Sequence, residues 1–193
     1  MRRALAGCAV LALATLVADV AAQSPSEAPS PAPERNSRGQ IRVSPRRVVE
    51  AAIDGLSVRI DYSSPYKRGR VIWGSLVPWG RWWMPGADET TTITTSGPMK
   101  VGDLKMPAGV HSLYAMPGDP EFRLIVNRGT GLFHTNYPSR LDLGQVPMTM
   151  AKVAEPVEQL TFTLEPLADG GGHLTMTWDD RAYSVALAVD HLQ

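Results

Sequence analysis

Residues 160–189 read LTFTLEPLADGGGHLTMTWDDRAYSVALAV, and this stretch decides the fold. Leu160, Phe162 and Leu164 alternate with threonines, as do Leu174, Met176 and Trp178; Tyr183, Val185, Leu187 and Val189 alternate with Ser and Ala. A period of two is that of a strand with one face on a core and the other toward solvent. The connections Asp169-Gly170-Gly171-Gly172 and Asp179-Asp180-Arg181 are short enough to join antiparallel neighbours, and no segment of helix length is present to cross between parallel ones. The predicted unit is an antiparallel meander of three strands.

The same period extends toward the N-terminus. Val146, Met148 and Met150 form one apolar row, Phe122, Leu124 and Val126 another, and Leu56, Val58, Ile60 and Tyr62 a third. Ile125 makes the second row apolar on both faces. Turn residues at Asp54-Gly55, Pro107-Ala108-Gly109 and Pro117-Gly118-Asp119 separate the rows. Many short strands at this spacing predict an all-β fold, an antiparallel two-sheet sandwich or jelly-roll-like arrangement in a single domain over residues 41–193.

Upstream of Ile41 the composition changes. Residues 23–40, QSPSEAPSPAPERNSRGQ, hold no aliphatic side chain larger than Ala and read as a disordered Pro/Ser-rich linker. Residues 1–22 have Arg2 and Arg3, an apolar run from Ala4 to Ala18, and small residues at Ala21-Ala22, the pattern of a signal peptide cleaved after Ala22. Leu5-Ala6-Gly7-Cys8 also matches a lipobox, but a lipobox follows the hydrophobic run and most of this run follows Cys8. The expected location is periplasmic or extracellular, with lipid anchoring through Cys8 as the minor alternative.

Charge and cysteine content narrow the function classes. The chain has 19 basic and 19 acidic residues, and loss of Arg2, Arg3 and Asp19 with the leader leaves a net charge of −1. That balance lacks the basic excess of a nucleic-acid binder, and no apolar run in the expected mature chain could span a bilayer. Cys8 is the sole cysteine. Cleavage would leave no thiol for disulfides, thiolate–zinc sites or cysteine nucleophiles.

The chemistry concentrates in residues 62–96, YSSPYKRGRVIWGSLVPWGRWWMPGADETTTITTS, with four of the five tryptophans and two of the five tyrosines. Trp and Tyr present rigid amphipathic faces suited to sugar rings, and Lys67, Arg68, Arg70 and Arg81 add donors for carboxylates or phosphates. The candidate ligand-binding residues are Arg70, Trp79, Arg81, Trp83 and Glu89. The competing reading is structural: Trp73, Trp79 and Trp83 as core, Trp82 covering a sheet edge, and Arg70 or Arg81 paired with Asp88 or Glu89.

Paired carboxylates could act as acid and base in glycoside cleavage, but adjacent strand residues face opposite ways. Asp88 and Glu89 therefore would not flank one bond, and a second carboxylate would come from elsewhere, such as Asp61. His111, His134, His173 and His191 show no zinc-site spacing; His111, mid-strand near Tyr114, is the best single candidate. No metal site or cofactor is predicted. There is no phosphate loop, nucleophile elbow or dinucleotide fingerprint.

Taken in order, Arg68-Gly69-Arg70-Val71-Ile72-Trp73-Gly74, Leu76-Val77-Pro78-Trp79-Gly80, Trp83, Gly86-Ala87-Asp88-Glu89-Thr90, Pro107-Ala108-Gly109 and Pro156-Val157-Glu158-Gln159 are distinctive. From about Ser44 to Val189 the chain resembles a family of exported bacterial proteins catalogued as a domain of unknown function. Its pattern is GR-x-I-(F/W)-G-x-LVP-(Y/W)-G-x-x-WR-x-GA-N-E-x-T. The resemblance implies a secreted or periplasmic β domain and lends no established reaction or ligand. It also places Met84 where the pattern has Arg, Asp88 where it has Asn, and His111 where an aromatic is expected.

The expected function is an exported, non-enzymatic binding or interaction domain for a small molecule, a glycan or an envelope protein. The alternative is a hydrolase or isomerase acting on an envelope sugar or peptide, with Glu89 or Asp61 as base and His111 with a metal. A third reading, a structural or assembly partner, predicts a flat apolar surface.

Overall fold

The computed structural model describes residues 33–190. The expected signal peptide, Cys8, residues 23–32 of the expected linker and His191 lie outside the described residues. Strands β1 (Arg46–Ile53) and β2 (Leu56–Ser63) form a hairpin. Its turn residues Asp54 and Gly55 have φ of 48° and 80°. Left-handed backbone at both central positions is what a two-residue hairpin of matching twist demands, and Asp-Gly supplies it at low cost.

The chain continues through β3 (Thr92–Thr95), β4 (Met99–Val101), β5 (Leu104–Met106), β6 (Gly109–Met116) and β7 (Phe122–Asn127). A 3-10 turn at Ser139–Leu141 leads into β8 (Asp142–Pro166) and β9 (Gly172–Val189). The hydrogen-bonded order is β1-β2-β3-β6-β7-β8-β9-β4-β5, with every neighbouring pair antiparallel. The fold is thus a single all-β antiparallel domain. The two expected layers are halves of one order, because β8 pairs with β7 up to Met148 and with β9 from Thr149.

Four predicted C-terminal strands become two long ones. β8 absorbs the rows Val146–Met150 and Leu160–Leu164, and β9 runs unbroken through Asp179-Asp180-Arg181, which is therefore no hairpin loop. Burial in β9 falls on even residues up to Trp178 and on odd residues from Tyr183. The alternation breaks between them, and Asp179, at φ 52° where the register with β8 shifts, marks the break; the surplus residues of that shift lie on β8 between Lys152 and Thr161. An acidic pair fits such a break as well as a turn, so composition did not separate the two. The connection at Asp169 to Gly172 is a true hairpin, with Pro166 paired to Gly172 and Leu167 N–H donating to Gly171 O at 3.1 Å, and Gly171 N–H ties it to the β1–β2 turn through both oxygens of Asp54 at 2.9 and 2.8 Å.

The sheet curls until the segment after β2 meets β8. Tyr66 and Gln159 form an isolated bridge, Lys67 N–H donates to Glu158 O at 2.7 Å, and Leu160 N–H donates to Pro65 O at 3.0 Å. Inside the curl, Val58, Ile60 and Tyr62 pack with Leu160, Phe162, Leu174, Met176 and Trp178. Tyr62 meets Phe162 edge-on at 4.9 Å, and Phe122 stacks on Tyr183 at 4.0 Å. Each fully buried aliphatic side chain here contributes about 1.5–3 kcal/mol of transfer free energy. Ile125, the residue that blurred the β7 pattern, faces the other way into a small second cluster with Met84 and Tyr114.

Described residues N-terminal to Ile41 also pack against the sheet. Arg35 bridges to Ile41, and Asn36 at the tip between them is buried. This arm is held by polar contacts, which an inspection for apolar residues passes over.

Candidate functional site

The arm ends in Arg42, whose side chain is 6 % exposed. It donates to Ser63 Oγ at 2.9 Å, lies 3.4 Å from Asp88 Oδ2, and pairs with Glu89 Oε2. Asn36 Nδ2 donates to the other Asp88 oxygen at 2.7 Å, and Ser37 N–H donates to Glu89. Asp88 and Glu89 thus converge on one cation despite being adjacent. Asp88 has φ 59°, so the alternation expected of a strand does not apply there. Left-handed backbone also accounts for Asn in the pattern at this position, since Asn and Asp tolerate it best. The expected pairing of these carboxylates with Arg70 or Arg81 is not what forms; Arg42, unmarked by any motif, takes both.

Arg42 and its carboxylates stand between two clefts. The first, about 220 Å³, is lined by Asp61, Glu89, Arg46, Thr90 and Thr92 among others. It unites the two carboxylates that the sequence offers as catalytic bases. Asp61 accepts from Arg46 at 2.7 Å and Arg59 at 2.9 Å. Burial alone would raise its pKa, but the two guanidinium hydrogen bonds outweigh it and hold the carboxyl below its ordinary value. Glu89 behaves alike: burial pushes up, while Arg42 and the Ser37 N–H pull it below normal. A general acid needs a raised pKa, so two clamped, ionised carboxylates do not form an acid–base pair.

The second cleft, about 300 Å³, collects Tyr66, Arg68, Arg70, Trp83, His134 and Trp178, with Val43 and Leu76 on its lip. Among the described residues no carboxylate lines it. Its floor ends a row of four tryptophans: Trp79 stacks on Trp73 at 6.3 Å, Trp73 meets Trp83 edge-on at 6.4 Å, and Trp83 stacks on Trp178 at 6.1 Å. Arg181 lies over Trp79, 5.3 Å from the ring centre. The wall carrying Arg68 and Arg70 is fixed from below. Lys67 Nζ pairs with Asp179, Arg68 N–H donates to Glu158 Oε1 at 2.8 Å, and Trp178 Nε1 donates to Glu158 O at 3.3 Å. Arg70 folds back on the loop, its Nε donating to Lys67 O at 2.9 Å and Nη2 to Tyr66 O at 2.5 Å. His134 closes the opposite side. Its Nδ1 lies 3.0 Å from Asp88 O, a carbonyl oxygen that can only accept, so Nδ1 is the donor of this bond.

Of the predicted residues, Arg70 and Trp83 share this cleft and Glu89 lines the first. Trp79 belongs to the tryptophan row, and exposed Arg81 lies beside Trp82 on another part of the surface. Sequence reading missed Arg42, Asn36, His134 and Trp178. Trp178 sat inside the apolar row that marked its strand, and the other three stand outside any dense motif. His111 is buried on β6 with its Nδ1 unpartnered, and among the described residues no three His, Cys, Asp or Glu side chains gather as a metal site would require. No helix among the described residues is long and apolar enough to cross a membrane.

A family model described as a protein of unknown function, DUF2911, matches residues 44–187. No curated protein and no solved structure matches the chain.

Proposed function

We propose, from the premise that this chain belongs to the DUF2911 family of proteins of unknown function, that it is an exported binding domain whose ligand seats on Trp83 beside Arg68 and Arg70. The observation that carries this reading is the composition of that cleft: an aromatic floor, two arginines and a histidine, and no lining carboxylate among the described residues. Such a lining suits a small ligand that joins a ring face to an anionic group, of which a uronic-acid saccharide is the simplest example. Pre-anchoring of the loop by Glu158 and Asp179 lowers the ordering cost of binding. The non-enzymatic part rests on the neighbouring carboxylates, Asp61 and Glu89, which arginines hold ionised. Export rests on the charged start, apolar run and small residues of 1–22.

The test is a titration of the full-length chain with oligogalacturonate, followed by tryptophan fluorescence. Saturable quenching is expected, weakened about tenfold by Arg70→Ala and by raised salt. No response to oligogalacturonate, or a response that Arg70→Ala and Trp83→Leu both leave intact, sinks the reading.

A further inference from the structure

Trp82 and Trp83 are neighbours in sequence but serve opposite faces. Trp83 pairs with β6, its N–H donating to Ala115 O at 2.9 Å and its O accepting from Ala115 N–H at 2.7 Å. In extended backbone successive side chains alternate. Trp83 therefore turns to the main core and Trp82 to the outside of the sheet, where 39 % of it is exposed. The other four tryptophans are half-buried or buried.

Trp82 borders an open groove of about 630 Å³ with Tyr137, Thr130, Thr135, Asn136 and Arg140. The rings of Trp82 and Tyr137 are 5.1 Å apart and inclined at 39°, and Trp82 packs edge-on against Tyr114 at 6.2 Å. The face is rigid because its supports are buried and bonded. Tyr114, fully buried, donates through Oη to Asn136 O at 2.7 Å. Tyr137 Oη donates to Asp142 Oδ2 at 2.6 Å, and buried Asn127 binds the other Asp142 oxygen at 2.7 Å and Pro138 O at 3.0 Å. Asn127 Oδ1 also accepts from Gly129 N–H at 2.7 Å, which closes the base of the loop. Burial and the Asp142 carboxylate push the Tyr137 hydroxyl well above the ordinary phenol range, so it stays a donor.

We infer that this groove is a second binding site, separate from the Trp83 cleft, and that it takes an uncharged hexose chain stacked on Trp82. A pyranose has C–H groups on its face and hydroxyls around its edge. The groove has the complementary arrangement, with an aromatic face and a rim of two threonines, an asparagine and an arginine. Its openness to solvent suits a flat ring more than an aliphatic side chain, which needs enclosure to lose water. Arg140 is the one charged side chain in the lining, so the rim has no carboxylate to repel or to demand a cation. The preorganised loop spares the ligand the cost of ordering it.

The experiment uses the full-length chain with cellotetraose and chitotetraose, read by tryptophan fluorescence and by calorimetry. Saturable binding is expected. It should weaken by about tenfold or more in Trp82→Ala, fall likewise in Thr135→Trp, which fills the groove from an exposed position, and stay within about twofold of wild type in Arg70→Ala. Thr135→Trp keeps the test valid if loss of Trp82 disturbs the tyrosine cluster. Failure of both sugars to bind the wild-type chain overturns the inference. So does binding that Thr135→Trp leaves unchanged, and so does binding of a proline-rich peptide in the groove with no sugar response. Binding lost only in Arg70→Ala would move the sugar to the Trp83 cleft and overturn the second site while leaving the first.

Discussion

Arg42, its side chain 6 % exposed, pairs with Glu89 across the gap between the N-terminal arm and the Gly86–Thr90 loop, and the same guanidinium also faces Asp88. One buried cation thus neutralises two adjacent carboxylates. Its removal strands both charges, the costly half of the asymmetry between replacing a buried pair and breaking it. Arg42→Ala is expected to lower stability by about 3 kcal/mol, read from urea unfolding, whereas Arg46→Ala, at a pair with an exposed arginine, should cost about 1 kcal/mol or less.

The arm makes its own contribution. A chain beginning at Ile41 keeps Arg42 but loses the Asn36 bond to Asp88 and the Ser37 N–H bond to Glu89. Hydrogen bonds to charged groups carry more weight than neutral ones, so this truncation should cost about 2 kcal/mol relative to a chain beginning at Pro33. Equal melting temperatures for the two would show that the arm is merely laid on the surface.

These contacts mark where sequence reading stops. The rows Leu56–Tyr62 and Phe122–Val126, and the apolar positions of β8 and β9, were legible because burial on one face forces a period of two. The Asp54-Gly55 turn was legible because its geometry admits few residues. The break at Asp179 was not, since one left-handed residue leaves no mark in composition and shows only as a change in burial parity. Nor was the Arg42 cluster, whose partners are 46 and 47 residues distant along the chain and whose arm has no apolar pattern. Glu158 shows the intermediate case. The resemblance singled out Pro156-Val157-Glu158-Gln159, and the fold explains why a glutamate stands there. Its carbonyl receives Lys67 N–H and Trp178 Nε1, and its carboxylate receives Arg68 N–H.

Stability should fall in two stages as the solution is acidified. Burial, then the nearby Arg128 charge, holds buried His111 below its ordinary value of 6.5. The unfolded ring binds its proton first, so unfolding is favoured once pH drops through about 6.5. Asp61 and Glu89 also have folded pKa values below the unfolded ones. Their contribution is complete above the unfolded carboxylate range, roughly pH 4, and is lost as pH falls further toward the folded values. Urea midpoints measured across this range should show both declines, and His111→Phe should remove the upper one alone. A midpoint that is flat between about pH 7 and 5 in the wild-type chain would contradict the first stage.

Gly74 tests the tryptophan row. Its φ is 80°, and a Cβ there would lie 2.6 Å from Trp79 Nε1. Gly74→Ala therefore meets both left-handed strain and a clash with the ring that stacks on Trp73. A loss of about 2 kcal/mol is expected, together with a changed tryptophan emission as the stack is pushed apart. Gly39→Ala, at φ 75° with open space around it, should cost only the backbone part, about 1 kcal/mol, and leave the emission unaltered.

Asp179 combines two roles that substitution can separate. It holds the left-handed position that shifts the parity of β9, and its carboxylate pairs with Lys67 beneath the wall of the Trp83 cleft. Asn tolerates the same backbone but removes the charge, whereas Ala gives up both. Asp179→Asn should thus cost about 1 kcal/mol for a partly exposed pair, and Asp179→Ala about 2 kcal/mol. Lys67→Met should match Asp179→Asn, and adding it to Asp179→Asn should cost little more, because the second change removes a partner already gone. If the two single changes are instead additive, Lys67 and Asp179 act independently, and the loop that carries Arg68 and Arg70 is held by its backbone contacts with β8 rather than by that ion pair.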